Sequence, residues 1–520
     1  MTRPPEIADT AAATDAARRA LAAGDIAAAE HICKQIVSVT RQHGPVWALL
    51  TETALLRNRP DAAIVCADRA VALMPDDAIA HVLRAKCLLL SGEIGPALLE
   101  TEAAEKLVGA APDALDAVGA MFGLIGRHAR AGELFRRAVA ARPDVAQYLF
   151  NLAATERMTG ALADAEAHCD AAIALDPRYC VAHYLRADLR IQTPERNHVA
   201  EMERPLAEGS LPWGDEVMLR YALGKECEDL GEHARAFAHV AAGADLQRRS
   251  ISYDPRTDIA EIDGIVATQT GAWLASLPAG CRDAAPVFVV GLPRTGTTLV
   301  ERIIAGHGAM TSTGETGAFA VALHRSMRAG GRADFAELGR HYLDSVAAFG
   351  PPRGRRFVDK TLKNYLLCGL VHAAMPHAKI VLVRRHPLDA GWAIYKAHFR
   401  GGFAFSYDQA ELADYILAFR RLARHWRATL PPQAYLEVAY EDVVHDLPAT
   451  ARRLTEFLHL PWEEGVLRFH ESPTPSATAS AVQIRRPLYS SSIGRWRVHA
   501  ERLGPLRARL ASEIPVAELE

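Results

Sequence analysis

The 520-residue chain has no long uncharged apolar run, no close pair of cysteines and almost no net charge. Nothing in it reaches 18 or more consecutive apolar residues, so no membrane-spanning helix is expected. Its first residues, MTRPPEIADTAAATDAARR, lack the apolar segment of a secretory leader. Eight cysteines are scattered without a C-x-x-C pair, which argues against a disulfide scaffold or a zinc site. That usage fits a reduced, cytoplasmic setting. Fifty-nine basic and 62 acidic residues give a formal charge of −3, which implies neither a nucleic-acid partner nor a membrane surface. Half of the residues are apolar, as in ordinary globular proteins, and the length suggests two to four domains.

What is present is, first, a repeat. Turn residues recur at Gly24, Asn58, Gly92, Gly126 and Gly160, each 34 after the last (58−24, 92−58, 126−92, 160−126). Ala70, Ala104, Ala138 and Ala172 follow at a fixed offset, and Pro75, Pro143 and Pro177 close three of the units. The glycine suits a left-handed helix end, the alanine lets two helices approach closely, and the proline stops the second helix. This pattern resembles the tetratricopeptide repeat. It predicts an all-α superhelix over residues 1–190, whose concave face binds a protein or peptide partner. Residues 191–284 read as further repeat-like helices, including 216–230, 233–249 and one continuous helix over 258–277. The boundary to the next domain falls near residue 284.

The second feature is Val287–His307, VFVVGLPRTGTTLVERIIAGH. Four apolar residues read as a buried parallel strand, and a helix follows the glycine loop. Gly291 and Gly296 have P-loop spacing, which aims backbone N–H groups and a helix N-terminus at one anion. The lysine that a nucleotide-triphosphate loop uses is missing, with Thr297 in its place. Lys379–Val383 reads as the next strand, ending in Arg384-Arg385-His-Pro387-Leu-Asp389. Basic residues at the carboxyl end of a parallel strand sit where such sheets bind ligands. Residues 285–520 are therefore expected to form a P-loop-type α/β domain with a central parallel sheet.

Arg294-Thr295-Gly296-Thr297-Thr298 after an apolar strand resembles the 5′-phosphosulfate loop of sulfotransferases, and the run through Glu315 is most similar to the tyrosylprotein branch. The resemblance covers about Pro286 to Arg497. It implies a 3′-phosphoadenosine-5′-phosphosulfate donor held by Arg294, Thr295, Gly296, Thr297 and Thr298 at the sulfate end. It implies Arg385 at the 3′-phosphate and Tyr440 and Arg486 as further donor contacts. Lys360 of Phe357-Val-Asp-Lys360 and Ser480 of the C-terminal flap are implied to stabilise the transferring group. The family's usual serine eight residues after Arg385 is Ala393 here, so one phosphate contact is either missing or replaced, with Lys396 the candidate replacement.

Glu315 stands at the distance from Arg294 (315−294 = 21) at which the tyrosylprotein branch carries its base, so the resemblance makes it the base; His307 is the rival. No metal is expected. The acceptor is a hydroxyl of a protein tyrosine, a carbohydrate or a small molecule. The tyrosine reading is weakened because no arginine follows Glu315 before Arg325. Two other classes compete. A repeat scaffold carrying an inactive nucleotide domain finds support only in Ala393, and a P-loop kinase or NTPase lacks its loop lysine.

Overall fold

The computed structural model describes residues 9–209, 211–282, 286–328, 334–347, 349, 356–399, 401–472 and 474–520. The expected boundary near residue 284 lies outside them. The chain forms two compact units, Met1–Thr155 and Glu156–Glu520.

In the first unit, short helices pair in sequence: α1 (Thr10–Ala22) with α2 (Ile26–Val39), α3 (Gly44–Leu56) with α4 (Pro60–Leu73), α5 (Ala78–Leu90) with α6 (Ile94–Leu107), and α7 (Pro112–Leu124) with α8 (His128–Ala141). The repeating turn residues all have positive φ: 81° at Gly24, 53° at Asn58, 79° at Gly92 and 80° at Gly126. A glycine there avoids the Cβ clash of the left-handed region. Ala70, Ala104 and Ala138 are fully buried, as close helix contact requires.

The array's register runs on through α9 (Ala146–Thr159), α10 (Leu162–Leu175) and α11 (Cys180–Asp188). Then come α12 (Val199–Glu208), α13 (Trp213–Asp229) and α14 (His233–Ser250). The helix expected over 258–277 is two helices, α15 (Pro255–Thr268) and α16 (Gly271–Ala275). Thr270 breaks it by capping the second, its side chain accepting from Trp273 N at 3.2 Å.

The rest of the second unit is built on a five-stranded parallel sheet in the order β2-β3-β1-β4-β5. The strands are β1 (Pro286–Val290), β2 (Met310–Gly314), β3 (Arg356–Asp359), β4 (Lys379–Arg384) and β5 (Tyr435–Ala439). Successive strand residues enter opposite cores. Phe288, Val290, Phe357, Ile380 and Leu382 pack with Phe319, Tyr342 and Trp426. Val287, Val289, Val358, Val381 and Val383 pack with Leu299, Val300 and Ile303 of α17 (Thr297–Ala305). The central strands β1 and β4 are covered on both faces, which is why they read as continuous apolar runs.

Candidate active site

The site begins where β1 ends. Gly291 is required because a Cβ there would lie 2.5 Å from the Val383 carbonyl oxygen of β4. Gly296 is required twice, by a φ of +95° and by Tyr440, whose ring carbon would be 2.5 Å from its Cβ. Between them Arg294 takes a φ of 63°, a conformation costing on the order of 1–3 kcal/mol for a side-chain-bearing residue. Neighbours hold it there: Arg385 Nη1 donates to the Arg294 carbonyl at 2.9 Å, and Thr295 Oγ1 donates to the Leu292 carbonyl at 2.7 Å. Thr297 and Thr298 head α17 and are buried. The first turn of a helix has N–H groups with no intrahelical partner, so the loop presents donors and dipole to one anion position.

The Arg294 guanidinium reaches the C-terminal segment, donating to Ser480 Oγ at 2.8 Å and to Gln483 Oε1 at 3.0 Å. Burial pulls its pKa below the ordinary value, and Asp188 opposes that shift. Arg385 donates to the Ser492 carbonyl at 2.6 Å and lies 4.8 Å over the Tyr440 ring. Tyr440 in turn shares a 2.6 Å hydrogen bond with Ser492 Oγ. The motif's Asp389 serves the chain: it accepts from Gly494 N at 2.6 Å and Trp496 N at 3.1 Å, tethering the C-terminal segment to the helix that follows β4.

These parts enclose a cavity of about 590 Å³ lined by Arg294, Gly296, Thr298, Arg385, Ala393, Tyr440, Ser480 and Arg486. Arg486 also lines the cavity, with no hydrogen bond or ion pair from its side chain among the described residues. Asp188, Lys225 and Glu228 of α11 and α13 form another wall. Lys396 lines the cavity too, already paired with Glu228 at 2.6 Å. Burial would raise the Glu228 carboxyl, but Lys396 and Arg495 hold it at about 2.

Glu315 and Lys360 are absent from that lining and meet at the ends of neighbouring strands. Lys360 N donates to the Gly314 carbonyl at 2.9 Å, and its Nζ forms an ion pair with Glu315. The Lys360 side chain is 1% exposed and that of Glu315 is 44% exposed. Glu301, on α17, lies 4.0 Å from the same ammonium and accepts from Ser312 Oγ. Below them, the fully buried Asp359 accepts from Thr361 N, Tyr342 Oη and Thr316 Oγ1, and burial raises its pKa. His307 is buried with both ring nitrogens used: Nε2 lies 3.0 Å from the Pro461 carbonyl and Nδ1 accepts from Ala309 N. It is placed as a structural group.

Two site residues escape a reading of the sequence. Gln483 lies one turn beyond Ser480, a spacing that could have singled it out. Ser492 has no local signal at all.

Residues 286–464 match a sulfotransferase family, and residues 20–87 match the tetratricopeptide repeat. The chain carries tetratricopeptide repeats and a sulfotransferase-family domain. An uncharacterized protein of Aquifex aeolicus (strain VF5) is 27% identical over 326 residues, covering 59% of this chain and 43% of that relative. The match thus spans less than half of the relative's length. The sulfotransferase domain from the Synechococcus PCC 7002 olefin synthase is 17% identical with a TM-score of 0.35, over 45% of this chain and 97% of that one. A thermophilic tetratricopeptide protein of Thermus thermophilus is 18% identical with a TM-score of 0.31, over 34% of this chain and 96% of that one. Among the described residues no helix is long and apolar enough to cross a membrane.

Proposed function

We propose that the protein transfers a sulfuryl group from 3′-phosphoadenosine-5′-phosphosulfate to a hydroxyl acceptor. The observation that carries this reading is the convergence of Arg294, Arg385 and Arg486 with the loop on one cavity. Three guanidinium groups and an open helix N-terminus suit a substrate with anionic groups at both ends. Arg294 and the loop threonines take the phosphosulfate end. Arg385, stacked on Tyr440, takes the 3′-phosphate through the paired hydrogen bonds a guanidinium offers.

The acceptor oxygen attacks sulfur as the bond from sulfur to the bridging phosphate oxygen breaks. The acceptor proton passes to Glu315, and the electron pair leaves on 3′-phosphoadenosine 5′-phosphate. Lys360 pairs with Glu315 before the donor arrives. Opening of that pair frees the carboxylate to act as base while Lys360 steadies the developing charge. Ser480 adds a donor on the flap side.

The resemblance to the tyrosylprotein branch leaves tyrosine, carbohydrate and small-molecule hydroxyls as acceptor classes. The domain order in this reading is repeats over 1–190, further repeat-like helices over 191–284 and the transferase over 285–520. The repeats hold a protein partner or the acceptor itself. Eight free cysteines suit work in the reducing cytoplasm. Calorimetric titration of the whole protein tests the donor assignment. Tighter binding of 3′-phosphoadenosine 5′-phosphate than of ATP is expected; equal binding, or a preference for ATP, overturns it.

A further inference from the structure

The geometry points to the turn between α9 and α10 as the seat that positions the flap over Arg294, an inference that rests on the donor reading above. Segment 474–485 is held at both ends. At one end Arg302 of α17, 3% exposed, donates to the Thr474 carbonyl at 2.7 Å, the Pro475 carbonyl at 3.0 Å and Ser472 Oγ at 3.0 Å. The repeat turn receives the segment at both ends. The Met158 carbonyl accepts from Ser476 N at 2.9 Å and from Arg485 Nη2 at 2.8 Å. Arg157, fixed on Asp188 at 2.6 Å, reaches the Thr478 carbonyl at 3.4 Å. Between these anchors Ser480 and Gln483 grip Arg294.

Two features show that the turn is shaped for this contact. Gly160 has a φ of +98°, and a Cβ on it would lie 2.7 Å from Arg485 Cζ. The turn glycines Gly24 and Gly231 have nothing within 4 Å of such a Cβ, so at Gly160 the repeat's glycine has a second duty that they lack. Arg485 donates to the Met158 carbonyl while its Nε is buried without a partner among the described residues, and burial lowers its pKa. A partly buried guanidinium facing only a carbonyl is a costly group for mere packing. It is explained if its task is to fix the flap. Arg485 and Arg157 are then positioning residues, acting on the donor through Ser480, Gln483 and Arg294. A partner bound at this turn would bear directly on the flap.

The test uses the full-length protein and four variants: Arg485→Ala, Arg485→Lys, Gly160→Ala and the double variant Gly160→Ala with Arg485→Ala. Hydrogen exchange in the nucleotide-free protein reads the seat, and calorimetry with 3′-phosphoadenosine 5′-phosphate reads its consequence. Arg485→Ala should speed exchange at the Ser476 and Ile484 amides about tenfold and weaken nucleotide binding about 5- to 10-fold, the worth of roughly one net hydrogen bond. Arg485→Lys, which keeps a donor for the Met158 carbonyl, should recover most of both. Gly160→Ala should weaken binding alone, and in the double variant only the part due to its left-handed backbone should remain, so the two effects should sum to less than additivity. Unchanged exchange and affinity in Arg485→Ala, or additive effects in the double variant, overturn the inference. If the parent protein binds no 3′-phosphorylated nucleotide, the donor reading falls, and the exchange arm alone decides whether the turn seats the flap.

Discussion

Replacing Glu315 by glutamine removes the proposed base while leaving its shape. The surroundings say what else should change. Lys360 is buried, and a glutamine Oε1 still accepts from its ammonium. Glu301 stays 4.0 Å away, a separation worth about 4 kcal/mol at an effective dielectric of about 20. The lysine therefore keeps a partner and its place. Glu315 itself is 44% exposed, so its share of the pair is solvent-screened and of surface size, about 1 kcal/mol or less. Turnover should respond far more. Losing a positioned base lowers kcat by roughly 10²–10⁴-fold, or about 2.7–5.5 kcal/mol. Donor affinity should stay within about twofold, because Glu315 does not line the donor cavity. The assay is single-turnover transfer of labelled sulfate at saturating donor, with urea unfolding in parallel. A variant that turns over within about threefold of the parent would refute the base assignment, and a collapse of donor binding would show that the pair with Lys360 shapes the cavity instead.

Arg385→Ala should cost about 1.5–3 kcal/mol in the preference for 3′-phosphorylated over unphosphorylated nucleotide, roughly 10- to 150-fold, measured as a ratio of calorimetric Kd values. Glu228→Ala should destabilise the fold by about 1–3 kcal/mol in urea, since it leaves the half-buried Lys396 and Arg495 side by side without their carboxylate. His499 is buried against Trp392, its ring nitrogens lack partners among the described residues, and burial lowers its pKa to about 4. Unfolding raises that value to about 6.5, so the unfolded chain binds the extra proton. Its contribution is therefore present above about pH 6.5 and lost as the pH falls to about 4, on the order of 2–3 kcal/mol. His499→Phe should flatten that part of the stability profile by its share.

The sequence was legible wherever a local constraint wrote itself into one short stretch. The 34-residue register showed because each turn needs a left-handed residue, and the helices fell on either side of it. The loop showed because β1 is buried on both faces and because Val383 and Tyr440 leave no room for a Cβ at Gly291 and Gly296. Lys360 and Glu315 were assigned separately by resemblance; what brings them together is the register of β2 on β3, which no local pattern reports. The same holds for Lys396, suggested as a phosphate contact: its carboxylate partner Glu228 is 168 residues away, on a helix of the repeat-like region. The seat of the flap, 327 residues from Met158 to Arg485, was likewise out of reach. Periodicity reads neighbours along the chain, and these contacts join elements that periodicity treats as independent.

The most direct test of the central claim is transfer itself. The full-length protein is incubated with 3′-phosphoadenosine-5′-phosphosulfate labelled in the sulfate, together with a cell extract supplying hydroxyl acceptors. The account predicts label on an acceptor hydroxyl oxygen, release of 3′-phosphoadenosine 5′-phosphate in equal amount, and loss of both in Arg294→Ala. Tight binding of the donor with no label on any acceptor, or label transfer that survives Arg294→Ala, would contradict it.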